Sequence, residues 1–376
     1  MIYLDNAAST KLDEEVLKAM MPYLTEQYGN AQSQHAAGRA SANAVTLARD
    51  EIASLAGCKA EEVFFVSGGT EAGNTALKGV CALHKKGHLV LSSIEHASIM
   101  ESALDMQKLG FEVTFVRPES DGAVRAENIL KAMRPDTVFC AVMAANNETG
   151  VIQPVEEIGK ICRERGVFFY SDCVQTAAYL PLPTNYADAT GFSSHKFYGP
   201  KGAGVLILKK RNDVFRLISG GMQEMGFRGG TVNTAGIVGT AAAYEKVCKE
   251  REKVNSHIKG LRDKFINRVL TEIKGTRLNG DLNKMLPSIA NISFDGCDGE
   301  NILFLMDLNG VCVSTGAACA AGAVSPSYTL IDMGCALSEA KSAIRFSFGK
   351  HNTEEEVNAA IEILKNVVEK IRKNGK

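Results

Sequence analysis

The chain has 376 residues, 45% of them hydrophobic and 23% charged, and its 42 basic and 43 acidic side chains leave a net charge of -1. That length supplies a large core and favours two domains, while the charge balance excludes the basic footprint that nucleic acid or an anionic membrane demands. No stretch approaches the roughly 18 consecutive apolar residues of a membrane span, and the opening MIYLDNAAST has neither the basic start nor the apolar core of a signal peptide, so small-molecule chemistry in the cytoplasm is expected.

Through the first two thirds, short β-rich runs alternate with helical patterns: EVFFVS, HLVLSS, EVTFVR, TVFCAVM, VFFYSD, ATGFSS and GVLILKK. This rhythm predicts an α/β protein with a mostly parallel sheet and covering helices. Between TVFCAVM and VFFYSD, PVEEIGKICRERG places Val155, Ile158, Ile161 and Cys162 on one helical face, with Gly166 as its stop. A right-handed crossover follows. Near residue 245 the character shifts to a charged helical segment that reads as a helix leaving one domain for another. SIANISF and VCVST then read as strands, and a last helix is marked by a capping box of Thr353 and Glu356 and an apolar stripe of Val357, Ile361, Leu364, Val368 and Ile371.

Ten cysteines, at 58, 81, 140, 162, 173, 248, 297, 312, 319 and 335, contain no C-x-x-C pair, which argues against a disulfide framework and against a metal site. Most sit in apolar runs, as small buried hydrophobes do.

In an open α/β sheet, ligands bind beyond the carboxyl ends of the strands. After VFFV comes SGGTEAGNTAL, a glycine turn entering a helix, where free N–H groups and the helix dipole favour a phosphate. Asn74 stands where a nucleotide P-loop requires lysine, so a single phosphate fits better than a triphosphate; a glycine turn that merely starts a helix explains this motif equally well by itself. After the following strands come His96, Asn147, Asp172 with Gln175, and Ser193, His195 and Lys196. Each alone also fits a cap or a satisfied turn, but together they form one rim. Pyridoxal 5'-phosphate requires such a set: a lysine for its aldehyde, a carboxylate to keep its ring nitrogen protonated, and donors for its phosphate. Lys196 suits the first, Asp172 the second, and Ser193, His195, Thr70 and the Gly69 amide the third.

The ordered motifs YLDNAAST, SGGTEAGN, EHAS, NNETGVIQPV, SDCVQ, SSHKFYGPKGAGVL, GGMQEMGFRGGTVN, STGAACAAG and AIRFSFG run nearly end to end. In them the chain resembles the cysteine desulfurases, pyridoxal-phosphate enzymes of the class V aminotransferase group. The resemblance implies a fold type I homodimer with a large cofactor-binding domain, residues 13–245, and a smaller α+β domain built from 1–12 and 246–376. It implies the Schiff base on Lys196, His96 stacked on the ring and also catalytic, Gln175 at the ring oxygen, Asn147 and Arg345 on the substrate carboxylate, Thr231 reaching the partner subunit's phosphate, and Cys319 as nucleophile.

The implied reaction converts L-cysteine to L-alanine and passes its sulfur to Cys319 as a persulfide, for a sulfur-acceptor protein in iron-sulfur assembly, tRNA thiolation or cofactor synthesis. Rival readings on the same fold are a selenocysteine or cystine lyase and a plain class V aminotransferase; a non-catalytic scaffold is opposed by the intact Lys196 and Asp172. Ala317, Ala320, Ala321, Met225, Gly229, Ala31 and Gln32 depart from the family pattern.

Overall fold

The computed structural model describes residues 1–315 and 326–374. The chain opens with β1 (Ile2–Tyr3), α1 (Glu14–Thr25) and α2 (Ala36–Ala56). An alternating stretch follows: β2 (Val63–Val66), α3 (Gly69–Cys81), β3 (His88–Ser92), α4 (Ala97–Lys108), β4 (Glu112–Val116), α5 (Ala126–Ala132), β5 (Thr137–Ala141), α6 (Val155–Arg165), β6 (Phe168–Asp172), β7 (Ala189–Ser193) and β8 (Gly204–Leu208). The remainder comprises α7 (Thr234–Glu272), β9 (Thr276–Leu278), β10 (Ile289–Phe294), α8 (Gly299–Leu308), β11 (Val311–Cys312), α9 (Tyr328–Asp332), α10 (Leu337–Lys341), β12 (Ala343–Ser347) and α11 (Glu354–Asn374).

Seven strands form one sheet in the order β2-β8-β7-β6-β5-β3-β4. Strands β4, β3, β5, β6 and β7 run parallel, and β8 lies antiparallel to both neighbours. Alternation along each strand divides the core. Leu89, Leu91, Phe139, Ala141, Phe168 and Tyr170 pack with residues of α3 and α4 on one face, whereas Val90, Cys140, Val142 and Phe169 pack with Ile129 of α5 and Ile158 and Cys162 of α6 on the other. Burial on both faces is why these strands read as continuous apolar runs. The parallel strands share one carboxyl edge, and the register pairs Asp172 with Gly191, leaving the ends of β6 and β7 side by side.

The C-terminal part builds a separate antiparallel sheet, β12-β10-β9. Phe265 of α7 packs tilted against Phe346 and edge-on to Phe348, at centroid distances of 4.6 and 5.5 Å. The stripe of α11 is buried at Val357, Ile361, Leu364 and Val368, and its capping box closes with reciprocal contacts of 3.2 Å between Thr353 and Glu356. Strand β1 pairs in parallel with β11, Ile2 opposite Val311, so the first residues join the C-terminal part. Helix α7 is 39 residues long and unbroken, so the boundary expected at 245 falls inside it: its first half packs on α1 and α2 and its second on α11.

Asp13 ties these parts together. It caps α1 by accepting the Glu15 N–H at 2.9 Å, pairs with Lys246 of α7 at 3.2 Å, and pairs with Lys350 just after β12. Burial works to raise its pKa, but Lys350, the Glu15 N–H and Lys246 outweigh burial and hold the carboxyl well below the usual range. Asp13→Ala removes the cap and strands the partly buried Lys350 ammonium, while Lys246 keeps Glu15, which is expected to cost about 2–3 kcal/mol in urea unfolding at pH 7. Because the folded-state value is depressed, this stabilisation is full above the unfolded carboxylate value of about 3.9 and fades as pH falls below it; the gap between parent and variant should therefore shrink in the same measurement at lower pH.

Candidate active site

Beyond the carboxyl edge of the large sheet lies a cavity of about 320 Å³, within the roughly 300–1,000 Å³ range of small-molecule pockets. It is walled by the ends of β5, β6 and β7, the N-terminus of α3, the segment after β1, and β12.

One end presents donors. The chain leaves β2 through Gly68 and enters α3, and the Gly69 N–H is held by Ser193 Oγ at 2.7 Å. A Cβ at Gly69 would stand 2.4 Å from Val174 Cγ2, so the backbone here approaches its surroundings as only glycine permits. Thr70 and His195 line the same end. His195 Nδ1 lies 3.3 Å from Ser9 Oγ, and burial, reinforced by the charges of Lys196 and Lys201, lowers its pKa to about 4. A neutral imidazole, a hydroxyl and a helix N-terminus together favour a phosphate.

The middle holds the ionisable pair. Asp172 ends β6 only 6% exposed and accepts the Val174 N–H at 2.8 Å. Burial raises its pKa, against that N–H, the charge of Lys196 and, when it is protonated, that of His96. His96 caps α4, and its Nδ1 accepts the Ser98 N–H at 3.2 Å. Since a backbone N–H can only donate, the neutral ring carries its proton on Nε2; burial lowers the His96 pKa and keeps it neutral. Lys196 follows β7 in a short 3-10 turn and donates to the carbonyls of Ala7 at 2.6 Å and Ala8 at 2.9 Å. Gln175 Nε2 donates to the same Ala7 carbonyl at 3.0 Å.

At the far end, Arg345 of β12 is 5% exposed. Its Nη2 meets Asp5 Oδ1 at 3.0 Å and its Nη1 donates to the Asn147 carbonyl at 2.9 Å. Arg345 Nε and Asn147 Oδ1 are buried without a hydrogen-bond partner among the described residues, an arrangement that calls for a ligand there.

One predicted residue stands apart. Thr231 is exposed and lies off the cavity. Lys201 is exposed beside a different hollow, with Lys11 and His351. Cys319 lies outside the described residues, though Ser314, upstream of it, lines the cavity. The sequence reading left out Asp5, Ala7 and Ala8; the polar run DNAAST directly after an apolar start is the signal that could have found them. The donor set fits pyridoxal 5'-phosphate: an amine, a buried carboxylate, a neutral imidazole and a glycine cradle surround a single cavity. Among the described residues no cluster of three or more His, Cys, Asp or Glu could hold a metal ion, and no helix is long and apolar enough to cross a membrane.

Comparison with known proteins adds kinship. The aminotransferase class-V family model matches residues 2–360. The chain is similar to a cysteine desulfurase IscS of Dictyoglomus turgidum, 41% identical over 375 residues covering 99% of this chain and 95% of the relative. It is also similar to a cysteine desulfurase IscS of Clostridium botulinum, 37% identical over 377 residues with 99% and 95% covered. Among solved structures, a NifS-like protein matches with a TM-score of 0.92 at 34% identity, covering 98% of this chain and 99% of the other. SspA in complex with cysteine matches with a TM-score of 0.83 at 31% identity, covering 94% and 100%.

NMR titration of the cofactor-free protein should place the His195 midpoint at about 4, against an ordinary 6.5. The sign follows from burial: the unfolded chain takes up this proton first, so His195 subtracts stability as pH falls from the ordinary value toward the lowered one. A midpoint at the ordinary value would contradict the burial seen here.

Proposed function

The chain belongs to the class-V aminotransferase family and is a cysteine desulfurase, and from that premise we propose that its cavity holds pyridoxal 5'-phosphate and L-cysteine, with Lys196 as the Schiff-base lysine and Cys319 as the sulfur nucleophile. The observation that carries this reading is the meeting, around one cavity, of the Lys196 amine, the buried Asp172 carboxylate and the α3 N-terminus at one side with the unpartnered Arg345 Nε at the other. The cavity lies where the proposed large domain, 13–245, meets the proposed small domain, 1–12 with 246–376.

Bound there, the cofactor supplies an electron sink for the substrate carbons. Asp172 holds the proton on the pyridine nitrogen, since an ion pair away from water resists losing it. His96, as a neutral imidazole, would hold the cofactor ring, and Gln175 would supply an amide to its oxygen. Gly69, Thr70, Ser193 and His195 bind the phosphate, and Thr231, exposed in one protomer, reaches the phosphate of its partner in a homodimer. Arg345 and Asn147 take the substrate carboxylate, a task suited to a planar guanidinium. Lys196 Nζ, which lines the same cavity, would be the group to move the proton at the substrate Cα. The Cys319 thiolate then attacks the substrate sulfur: an S–S bond forms, the C–S bond breaks with its electron pair staying on carbon, and protonation there yields L-alanine. The persulfide left on Cys319 passes to an acceptor protein. The nine described cysteines are all free thiols, as suits a reducing cytoplasm.

Lys196→Ala should abolish the visible absorbance of the protein-bound cofactor, while Lys201→Ala keeps it; the reverse pattern would sink the lysine assignment. Cys319→Ala should bind cofactor and L-cysteine but lose sulfide release by a factor on the order of 1,000, whereas Cys312→Ala, at a half-buried position on β11, retains most activity. A persulfide mapped by mass spectrometry to a different cysteine would refute the nucleophile and leave the cofactor assignment standing.

A further inference from the structure

Three consecutive hydroxyl residues open α9, and each sends its hydroxyl to a turn at the cavity rim. Ser327 Oγ donates to Glu148 Oε2 while accepting the Leu330 N–H at 3.1 Å. Thr329 Oγ1 donates to Glu148 Oε1 at 3.3 Å. The Tyr328 hydroxyl donates to the Glu95 carbonyl at 2.6 Å. Glu95 immediately precedes His96, and Glu148 immediately follows Asn147.

Glu148 is unusual for a carboxylate. It is 2% exposed, and Ser327 and Thr329 are 2% and 0% exposed, yet among the described residues it forms no ion pair. Burying a charged group without a contacting cation is costly unless hydrogen bonds satisfy it, and here the two hydroxyls do so. Its own turn is fixed by Asn146, whose Oδ1 accepts the N–H groups of Glu148 and Thr149, both at 2.9 Å, and by Asn291, which donates to the Glu148 carbonyl at 3.2 Å. That turn also carries the Asn147 carbonyl on which Arg345 Nη1 rests.

We infer that Glu148 is a positioning residue: through Ser327 and Thr329 it clasps α9 to the 146–149 turn, and so sets the Asn147 carbonyl that orients the Arg345 guanidinium for a substrate carboxylate. The inference rests on the reading of Arg345 as the carboxylate-binding group. Geometry, not charge, is the operative element. A glutamine at 148 can keep both contacts, its carbonyl accepting from Ser327 and its amide donating to Thr329, whereas alanine at 148 removes both and alanine at 327 removes the Ser327 contact and leaves the longer one from Thr329.

The test is an absorbance titration of cofactor-loaded protein with L-alanine, which carries the carboxylate but no sulfur, alongside cofactor content and melting temperature. Ser327→Ala and Glu148→Ala should weaken L-alanine binding about fivefold to tenfold, with Glu148→Gln staying within about twofold of the parent. In L-alanine affinity the double variant Ser327→Ala/Glu148→Ala should be no worse than Glu148→Ala alone, because Glu148→Ala already removes the contact that Ser327 makes with it; only the melting temperature should fall further, through the lost Leu330 cap. Ser327→Ala, the milder change, keeps the test open if Glu148→Ala fails to fold. Unchanged L-alanine affinity in Ser327→Ala overturns the clasp, as does loss of affinity in Glu148→Gln equal to that in Glu148→Ala. Arg345→Lys separates the two readings: if it binds L-alanine like the parent, the role given to Arg345 fails; if it weakens binding while Ser327→Ala does not, only the clasp fails.

Discussion

The site depends on keeping one carboxylate charged in a place that opposes charge. Asp172 ends a central parallel strand, and its burial by itself favours the neutral acid. Only the Val174 N–H, the Lys196 ammonium and, when it is protonated, the His96 ring work the other way. The elements around it follow from that need. β7 lies next to β6 in register, so that Lys196, just past its end, stands beside Asp172.

Glu95 illustrates the same constraint in a second carboxyl. It is fully buried, and its Oε1 accepts from Ser92 Oγ at 2.5 Å and from the Met143 N–H at 2.7 Å. Burial pushes its pKa up to about 8, with the charge of Asp172 adding to the rise. Near neutral pH it is therefore mostly the uncharged acid, whereas Asp172 has the Val174 N–H and the Lys196 ammonium acting to favour its charged form. Two carboxyls close together, with environments that separate their titrations, can serve different roles: Asp172 faces the cavity and its cations, whereas Glu95 pins the turn that presents His96.

The N-terminal segment is a working wall of the cavity. The Ala7 carbonyl receives both Lys196 and Gln175, and Asp5 receives Arg345. This segment is anchored at both ends, by β1 against β11 and by the Ala7 N–H on Ser347 Oγ at 2.9 Å. Amine, amide and guanidinium are thus referenced to one short stretch of backbone, which relates the lysine end of the cavity to the arginine end.

Local chemistry was legible in the sequence. β-rich runs bounded by turn residues marked the seven strands of the large sheet; in the inner strands burial on both faces leaves no polar alternation, whereas the edge strand β4 is only partly buried. The Thr353–Glu356 box and Gly166 marked helix ends, because caps act over one turn of chain. Residues directly after strands, among them His96, Asp172 and Lys196, could be gathered onto one rim, since a parallel sheet carries its strand ends to the same edge. Other features became apparent only when the chain closed. Asp5 meets Arg345 across 340 positions and Ser327 meets Glu148 across 179, and no local period encodes such pairings. The break near 245 in composition was real, yet α7 runs through it, because a helix can change the partners on its surface without changing its backbone. The sequence by itself determined which side chains could bind, cap or carry a proton; the tertiary structure decided which of them share a cavity and which carboxyls are charged there, because burial and distance are properties of the folded chain and not of any segment within it.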